Sequence, residues 1–281
     1  MNALLLLAPL AAVGGAYAVG AYGPRSFRAR MARDLAEGLA RRAPQPAITE
    51  ADLAPLPRPV QRYLRFAGVV GRPRVQAARF RFRGGLRGGP DEPWMRIVAD
   101  QVSFFDQRTR LFHVRARRAG VPFEAYHRFV GPSAIFTVKL LSLFTITDAR
   151  GPEMDRSETV TFLNDMALLA PATLVSPALR WEPVDDRAAR VTFTEGGQSV
   201  RAELRFDAEG RLADFVSDDR AQAAKDGRSF RAARWSTPIR EYRTFGPHRL
   251  PGVAGASWSV PEGAYEYARF EVDRVDYDPS A

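Results

Sequence analysis

The chain has 281 residues, of which 46% are hydrophobic and 26% charged, proportions typical of one large folded domain with an apolar core. It contains no cysteine, so disulfides, thiolate metal sites and cysteine nucleophiles are excluded. The net charge is +9, but the basic residues are nearly all arginines spread along predicted strands, whereas a nucleic-acid-binding surface is usually a clustered patch. We therefore expect no nucleic-acid partner.

The first segment of the chain is apolar, with no charged residue from Ala3 to Tyr22. A helix of about 20 residues, at about 1.5 Å per residue, is about as long as the hydrocarbon core of a bilayer is thick. The segment therefore predicts one transmembrane helix that ends near Gly23. A cleaved signal peptide is the alternative, because Ala16-Tyr17-Ala18 resembles a cleavage site.

The charges around this segment predict its orientation. No Lys or Arg precedes it, and four arginines follow it closely: Arg25, Arg28, Arg30 and Arg33. Positive charge normally stays in the cytoplasm. We therefore expect a single-pass protein of the inner (cytoplasmic) membrane, with its folded domain on the cytoplasmic side and the membrane as a partner.

The apolar segment also contains a stripe of small residues that recur every four positions: Ala8, Ala12, Ala16 and Gly20. Such a stripe lets two helices approach closely, so it favours a homodimer through this face. The alternative is that an alanine-rich segment produces this spacing by composition alone.

Two helices are predicted between the apolar segment and the first strand. The first, over 25–42, has Met31, Leu35 and Leu39 at spacings of four, which is typical of an amphipathic helix on a membrane surface or against the domain. The second, over 60–67, ends at Gly68, a typical C-cap residue. We divide the chain into an anchor (1–23), a juxtamembrane helix and linker (24–48), and a single β-rich domain (49–281).

After Pro73 the hydrophobic pattern changes to a period of two, which indicates strands. About eleven strands are predicted, over 75–83, 94–105, 111–118, 122–129, 134–147, 190–194, 199–206, 212–217, 230–245, 256–260 and 265–277. Short turns join most of them, so neighbours along the chain pair as an antiparallel meander. The predicted fold is mainly β, with one large curved antiparallel sheet.

One segment, 153–170, interrupts the strand pattern. It has apolar residues at helical spacing, acidic residues in its first turn where the helix dipole favours them, and Pro171 after its end. The concave face of a curved sheet must be covered by another element. We therefore predict one inserted helix that covers the concave face.

Three motifs stand out along the chain, namely LPRPVQRYL (56–64), GPEMDRSET (151–159) and WSTP (235–238). In these motifs the sequence resembles an uncharacterised bacterial family, a domain of unknown function with an N-terminal membrane anchor. The resemblance extends over nearly the whole chain after the apolar segment. It implies no activity and no catalytic residue. The strand count and inserted helix are also similar to the lipoprotein-carrier fold, whose curved sheet holds acyl chains, and this similarity implies an apolar ligand.

Candidate catalytic residues lie mainly on the inserted helix. Glu153, Asp155 and Glu158 are close in sequence, and Glu158 is two turns from Asp165, so paired carboxylates are one interpretation. The simpler interpretation is that the acidic residues stabilise the first turns and that Asp165 faces solvent. His127 is a further candidate, against the simpler interpretation of a structural histidine in a sheet.

No spacing of histidines and carboxylates indicates a metal site, and no nucleotide or cofactor motif occurs. We expect no metal and no cofactor. Aromatic residues are the candidate ligand contacts, namely Tyr126, Phe162, Trp235 and Trp258, although core packing explains such residues equally well.

Three functions follow as hypotheses. The first is a membrane-tethered binding module that encloses a lipid or acyl chain in the curved sheet. The second is a hydrolytic enzyme that uses the carboxylates of the inserted helix with His127 or Arg220. The third is a structural partner of another membrane protein, which would present an exposed apolar patch.

Overall fold

The computed structural model describes residues 3–40, 45–224 and 226–279, with side chains from residue 12 onward. The helices in these residues are α1 (Ala3–Tyr22), α2 (Phe27–Leu39), α3 (Glu50–Leu53), α4 (Arg58–Ala67) and α5 (Pro152–Leu168), with a 3-10 turn at Pro171–Leu174. The strands are β1 (Ala77–Leu86), β2 (Met95–Phe104), β3 (Thr109–Arg118), β4 (Val121–Val130), β5 (Ser133–Leu140), β6 (Phe144–Ala149), β7 (Leu179–Asp185), β8 (Ala188–Glu195), β9 (Gln198–Phe206), β10 (Leu212–Ser217), β11 (Ala221–Ala223), β12 (Phe230–Ala232), β13 (Arg234–Ser236), β14 (Ile239–Phe245), β15 (His248–Val260) and β16 (Gly263–Tyr277).

Fourteen of the described strands form one antiparallel sheet, in the order β6-β5-β4-β3-β2-β1-β16-β15-β13-β10-β9-β8-β7, with β14 paired to β15. The strands β11 and β12 form a separate hairpin. The sheet consists of two meanders, joined where the first strand pairs with the last. The predicted mainly β fold and large antiparallel sheet are confirmed.

The predicted number of strands is wrong, because the described residues contain sixteen rather than about eleven. The predicted strand 134–147 is divided by Leu141 and Ser142, whose φ angles of 53° and 56° cannot continue a strand. The predicted strand 230–245 is divided into three, with Pro238 between the last two. Proline has no N–H to donate to a neighbouring strand. The short strands β7 and β11 have no counterpart in the prediction.

Helix α5 joins β6 and β7, which are the two edge strands at opposite ends of the sheet. It therefore crosses the inner face of the sheet, and every residue from Ser157 to Leu168 is buried. The predicted inserted helix is confirmed, with Pro152 in its first turn and Leu168 at its end. The main core lies between this helix, the sheet and α4.

Helix α4 closes one side of the core. Its apolar residues Val60, Tyr63, Leu64 and Ala67 are buried, as their spacing predicts. Gly68 ends the helix with a φ of 75°, a left-handed conformation that glycine adopts without strain. The Tyr63 hydroxyl donates a hydrogen bond of 2.7 Å to the carbonyl oxygen of Ala167, which ties α4 to α5.

Helix α2 packs on the outer face of the sheet, opposite to α5. The ring of Phe27 stacks on Tyr126 at 5.2 Å, and the Asp34 carboxylate accepts bonds of 2.7 and 2.8 Å from the Arg128 guanidinium. The apolar residues of this helix pack on strands β1 and β2. Of the two positions predicted for an amphipathic helix, the structure shows the one against the domain. Residues 41–44 of the predicted linker lie outside the described residues.

Helix α1 coincides with the segment predicted to span a membrane. Within the described part of the chain, no helix is both long enough and apolar enough to cross a membrane. The side chains of residues 3–11, which contribute to the prediction, lie outside the described ones.

The small-residue stripe predicted for a homodimer is partly covered by the chain itself. A Cβ atom at Gly20 would lie 2.8 Å from both the Leu143 side chain and the Ser142 carbonyl oxygen, in the turn between β5 and β6. The absence of a side chain at Gly20 thus allows the helix to contact its own domain, and Gly20 is half-buried by this contact. Ala8 lies outside the described side chains.

Candidate functional site

A cavity of about 480 Å³ lies between the inner face of the sheet, one face of α5 and the β11–β12 hairpin. This volume is within the range of small-molecule binding pockets. Its wall is mainly apolar and rich in aromatic rings, including Phe82, Phe112, Phe136, Phe270, Trp235 and Trp258. The interior of this protein is therefore not filled by its own side chains at this place.

Helix α5 contributes one continuous face to the cavity. The residues on this face alternate spacings of four and three: Met154, Glu158, Thr161, Asp165 and Leu168. Such spacing places side chains on one side of a helix. Two acidic residues and a threonine thus face the cavity from the part of the helix, Ser157 to Leu168, that is buried throughout.

A buried ionic cluster forms the floor of the cavity. The Arg110 guanidinium, on β3, donates to Asp165 Oδ2 at 2.7 Å and to Glu158 Oε2 at 3.1 Å. Gln101, on β2, donates to the same Asp165 oxygen at 2.6 Å. Because an isolated charge is unstable in such a place, each of the two carboxylates depends on its ion pair with Arg110.

His127, on β4, meets the other oxygen of Glu158. Its Nδ1 lies 3.0 Å from Oε1, and its ring stacks on Phe136 at 4.1 Å. Burial lowers the pKa of His127 below its ordinary value, against the raising effect of Glu158. The imidazole is therefore neutral at pH 7, and since an ionised carboxylate can only accept, Nδ1 carries the proton and donates it to Glu158.

The two carboxylates of the cluster titrate differently. Burial by itself raises the pKa of Glu158, but His127, Arg110 and the more distant Arg220 lower it to about 2. Burial outweighs Arg110 and Gln101 at Asp165, whose pKa is raised. Glu158 is therefore the permanent anion of the cluster, and Asp165 is the group that takes up a proton first.

Arg220 lies on the opposite wall, just before the β11–β12 hairpin. Its Nε donates to Thr161 Oγ1 at 3.1 Å, and its guanidinium lies 4.5 Å from the ring centre of Trp235 and 5.1 Å from that of Trp258. Such cation–π contacts are favourable where the cation is partly desolvated. The guanidinium is thus held by two rings and one hydroxyl at the cavity surface.

The β11–β12 hairpin covers part of the cavity and is fixed at three points. Ala221 N donates to Ser157 Oγ at 3.0 Å, and Gln222 Nε2 donates to the Tyr265 hydroxyl at 2.6 Å. Gly227 lies against the backbone of Ala149 at the end of β6, where a Cβ would approach within 3.0 Å. The hairpin therefore bridges from α5 to both halves of the sheet.

The structure brings together only two of the four predicted catalytic candidates. Glu158 and His127 are in contact at the cavity wall. The Asp155 carboxylate accepts a bond of 2.6 Å from the backbone N–H of Ala134, and Glu153 is exposed on the first turn of α5. Among the described residues, no group of three or more His, Asp or Glu side chains is arranged to hold a metal ion.

Only two of the four predicted ligand contacts lie at the cavity. Trp235 and Trp258 line the cavity. Tyr126 faces the opposite side of the sheet, where it stacks on Phe27, and Phe162 is enclosed by other aromatic rings of the packed core. These two residues do not line the cavity, because the alternation along β4 and the periodicity of α5 turn them away from it.

The sequence argument did not include Arg110. Of its two interpretations of Asp165, the simpler one, with this residue in solvent, is wrong because Asp165 is 6% exposed. The sequence does contain a pattern that indicates Arg110. This residue alternates with Phe112 and Val114, so it lies on the same face of β3, which is turned toward the cavity. A charged residue in the apolar phase of a strand indicates a buried ionic partner. The predicted strand began at Leu111, one residue too late to include it.

Several solved structures are similar to this chain. They include a putative outer membrane lipoprotein-sorting protein domain from Vibrio parahaemolyticus (10% identity, TM-score 0.39, covering 72% of this chain and 85% of that one). Others are a DUF1329 family protein from Desulfovibrio piger (12%, 0.44, 79% and 93%) and a LolA superfamily protein from Nitrosomonas europaea (12%, 0.39, 76% and 90%). The resemblance to lipoprotein carriers that the sequence indicates recurs in the first and third, but TM-scores below 0.5 carry no ligand or activity over to this chain.

No curated protein of known function matches the sequence. A family model matches residues 46–270, which include β1 to β15, α5, the first part of β16 and the whole cavity wall except Val272. The chain therefore belongs to DUF6544, a family of unknown function.

Proposed function

We propose that this protein is a binding module that encloses an apolar ligand, a lipid or an acyl chain, in the cavity between the sheet and α5. The observation that carries the proposal is the aromatic wall around about 480 Å³ that the side chains of the chain leave unfilled. Atoms that line an unfilled volume lose contacts that a packed core would supply. An apolar ligand restores those contacts.

The burial of an alkyl chain in this cavity is expected to give a favourable binding free energy. Each methylene group removed from water contributes about 0.8 kcal/mol, so a chain of about ten methylenes gains about 8 kcal/mol before the cost of ordering it.

A hydrolytic role has less support, because both oxygens of Glu158 are engaged and Asp155 is bonded to the backbone. Neither carboxylate is free to act as a general base.

Filling the cavity tests the proposal. Ala125 lines the cavity from β4, and Ala125→Phe places a ring in the space for the ligand. Ala116, on the neighbouring strand, packs against the same core without lining the cavity, so Ala116→Phe is the matched control. Lipid extracted from the purified protein is identified by mass spectrometry, and its stoichiometry is compared between the variants.

We expect bound lipid in the wild type and in Ala116→Phe, and a loss of at least about tenfold in occupancy in Ala125→Phe. Circular dichroism confirms that both variants are folded. Wild-type protein that carries no lipid and does not take up a fluorescent fatty-acid probe contradicts the proposal.

Attachment to the inner membrane is a second part of the proposal, with the domain on the cytoplasmic side. Its support is a group of exposed apolar residues on α1 and on the edge strand β6, with Val19 69%, Tyr22 65%, Phe144 60% and Ile146 48% exposed. Arginines follow α1 directly, and apolar side chains flanked by basic ones favour an anionic bilayer surface. A protein partner at the same patch is the competing occupant.

Flotation of the full chain with vesicles tests this part. Vesicles that contain phosphatidylglycerol are expected to retain the protein better than neutral ones, and the double variant Phe144→Ser, Ile146→Ser is expected to float less. Val184→Ser is the control, because Val184 is 42% exposed on β7 at the opposite edge of the sheet. Equal flotation of all variants contradicts the role of this patch. Protease accessibility in spheroplasts tests the side of the membrane.

A further inference from the structure

The charges of the cavity wall do not balance. Five charged side chains line the cavity, namely Arg87, Arg110, Arg220, Glu158 and Asp165. Three cations therefore face two anions, and His127 is neutral. A mainly apolar cavity with one excess positive charge is complementary to a ligand with one negative charge.

The guanidinium groups of Arg110 and Arg87 already have partners within the protein. Arg110 is paired with both carboxylates of the wall. Arg87 lies at the end of β1, where Nε donates to the Glu266 carbonyl oxygen at 2.7 Å, Nη1 donates to the Pro90 carbonyl oxygen, and the guanidinium lies over Trp94 at 4.9 Å. Backbone carbonyls and a ring therefore occupy the Arg87 guanidinium.

Arg220 has free donors that face the cavity. Its Nε is bonded to Thr161, and in the described part of the chain no carboxylate lies within 4 Å of its guanidinium and no hydrogen bond reaches Nη1 or Nη2. Trp235 and Trp258 hold the plane of the group. A guanidinium with both terminal nitrogens free presents two parallel donors, the geometry that binds a carboxylate or phosphate in a bidentate manner.

The surroundings strengthen such a contact. The half-buried guanidinium is flanked by indole rings in a mainly apolar wall, and a charge–charge interaction is stronger there than in bulk solvent. Rings such as Phe82, Phe112 and Phe270 line the same cavity. An anionic group at Arg220 and an alkyl chain along these rings fit together in one molecule.

We infer that the ligand is a single-chain amphiphile with an anionic head group, and that Arg220 binds this head group through Nη1 and Nη2. The inference rests on the proposed function and adds the ligand class to it. A fatty-acid carboxylate and an alkyl phosphate share this chemistry, so the experiment includes both.

The test compares three probes of equal chain length, namely hexadecanoate, hexadecyl phosphate and hexadecanol. Each displaces a fluorescent fatty-acid probe from the full chain. For the wild type we expect at least about a tenfold preference for one or both anions over the alcohol, which is the usual contribution of a hydrogen-bonded charge pair. The anion that binds more tightly identifies the head group.

Arg220→Gln is expected to abolish this preference, with the affinity for the anions reduced about tenfold and that for hexadecanol unchanged. Arg220→Lys keeps the positive charge but loses the two parallel N–H donors. Its affinity for the anions is expected to lie between those of the wild type and Arg220→Gln. Arg231→Gln is the control, because Arg231 lies on the same hairpin, is 46% exposed at its side chain and pairs with Glu262 outside the cavity.

The two proposals fail in different ways. Equal binding of the alcohol and the anions to the wild type overturns the inference and leaves the apolar cavity site intact. An anion preference that survives in Arg220→Gln also overturns it, because the charge then lies elsewhere. Failure of all three probes to bind overturns the proposed function itself.

Discussion

The two sides of α5 are equally hidden from solvent but bury different chemistry. On one side Val160, Phe162 and Leu163 are enclosed by side chains of the core, with Phe162 against Phe105, Phe129 and Phe193. On the other side Glu158, Thr161 and Asp165 face the cavity. Accessible surface does not distinguish the two sides, because all six helix residues are buried.

The difference shows how a buried helix serves both stability and binding. The packed side contributes through apolar burial, which requires only complementary shape. The cavity side contains charges whose removal from water is costly, and it needs Arg110, Gln101 and His127 from three strands to compensate. Buried polar groups that need several partners, and that lie next to an unfilled volume, distinguish a binding site from a packed core.

The largest expected effect is on the packed side. Phe162→Ala removes a fully buried ring and is expected to lower the free energy of unfolding by about 3–5 kcal/mol. The affinity for hexadecanoate is expected to remain within about twofold, because Phe162 does not line the cavity. Urea denaturation and probe displacement measure the two quantities. Phe144→Ala, at an exposed phenylalanine, is the control, with an expected change of about 0.5 kcal/mol or less.

On the cavity side, the largest expected effect depends on pH. The folded-state pKa of Glu158, about 2, is below its value in the unfolded chain, so its contribution to stability is present above about pH 4.5. This contribution is lost as the pH falls toward 2. The lowered pKa of His127 also reduces stability as the pH falls below about 6.5. The raised pKa of Asp165 opposes both losses of stability.

Glu158→Gln is therefore expected to flatten the loss of unfolding free energy between pH 5 and pH 2, and to do so equally in about 1 M salt, since the pair is buried. Glu271 is the control. Its pKa is also about 2, lowered by Arg83 and Arg243 at the surface, so the effect of Glu271→Gln is expected to disappear in high salt. Equal salt sensitivity of both variants would contradict the assignment of Glu158 to a dry cluster.

The smallest expected effect is at the exposed start of α5. Glu153→Gln removes a charge that interacts with the helix dipole, and the expected loss of unfolding free energy is about 0.3–1 kcal/mol. Ligand affinity is expected not to change, because Glu153 lies outside the cavity wall. A clear fall in affinity in this variant would show that the binding region extends beyond the cavity side of the helix.

Local patterns account for much of what the sequence predicted. The alternation in Val200, Ala202, Leu204 and Phe206 buries one face of β9, and the pattern around Tyr63 with Gly68 predicts α4 and its end. Each of these depends on residues a few positions apart, which interact through the geometry of one helix or strand.

The candidate site was predictable only in part, because its members are distant in sequence. Glu158 and His127 could be named from the local context, but their contact depends on α5 crossing the sheet. Arg110 and Asp165 are 55 positions apart, and Arg220 reaches the cavity from the second meander. No local pattern encodes which strand a helix face will meet.

The sequence by itself determined the mainly β class, the position of α5 and the periodicity that gives this helix two faces. Only the tertiary structure decided which face packs and which borders the cavity. The physical reason is that a hydrophobic pattern distinguishes apolar from polar positions, whereas the environment of a buried polar residue depends on its partners. The sequence shows only that Asp165 is acidic. Gln101 on β2 and Arg110 on β3 contact it in the folded protein, and these contacts make it part of a site rather than of the surface.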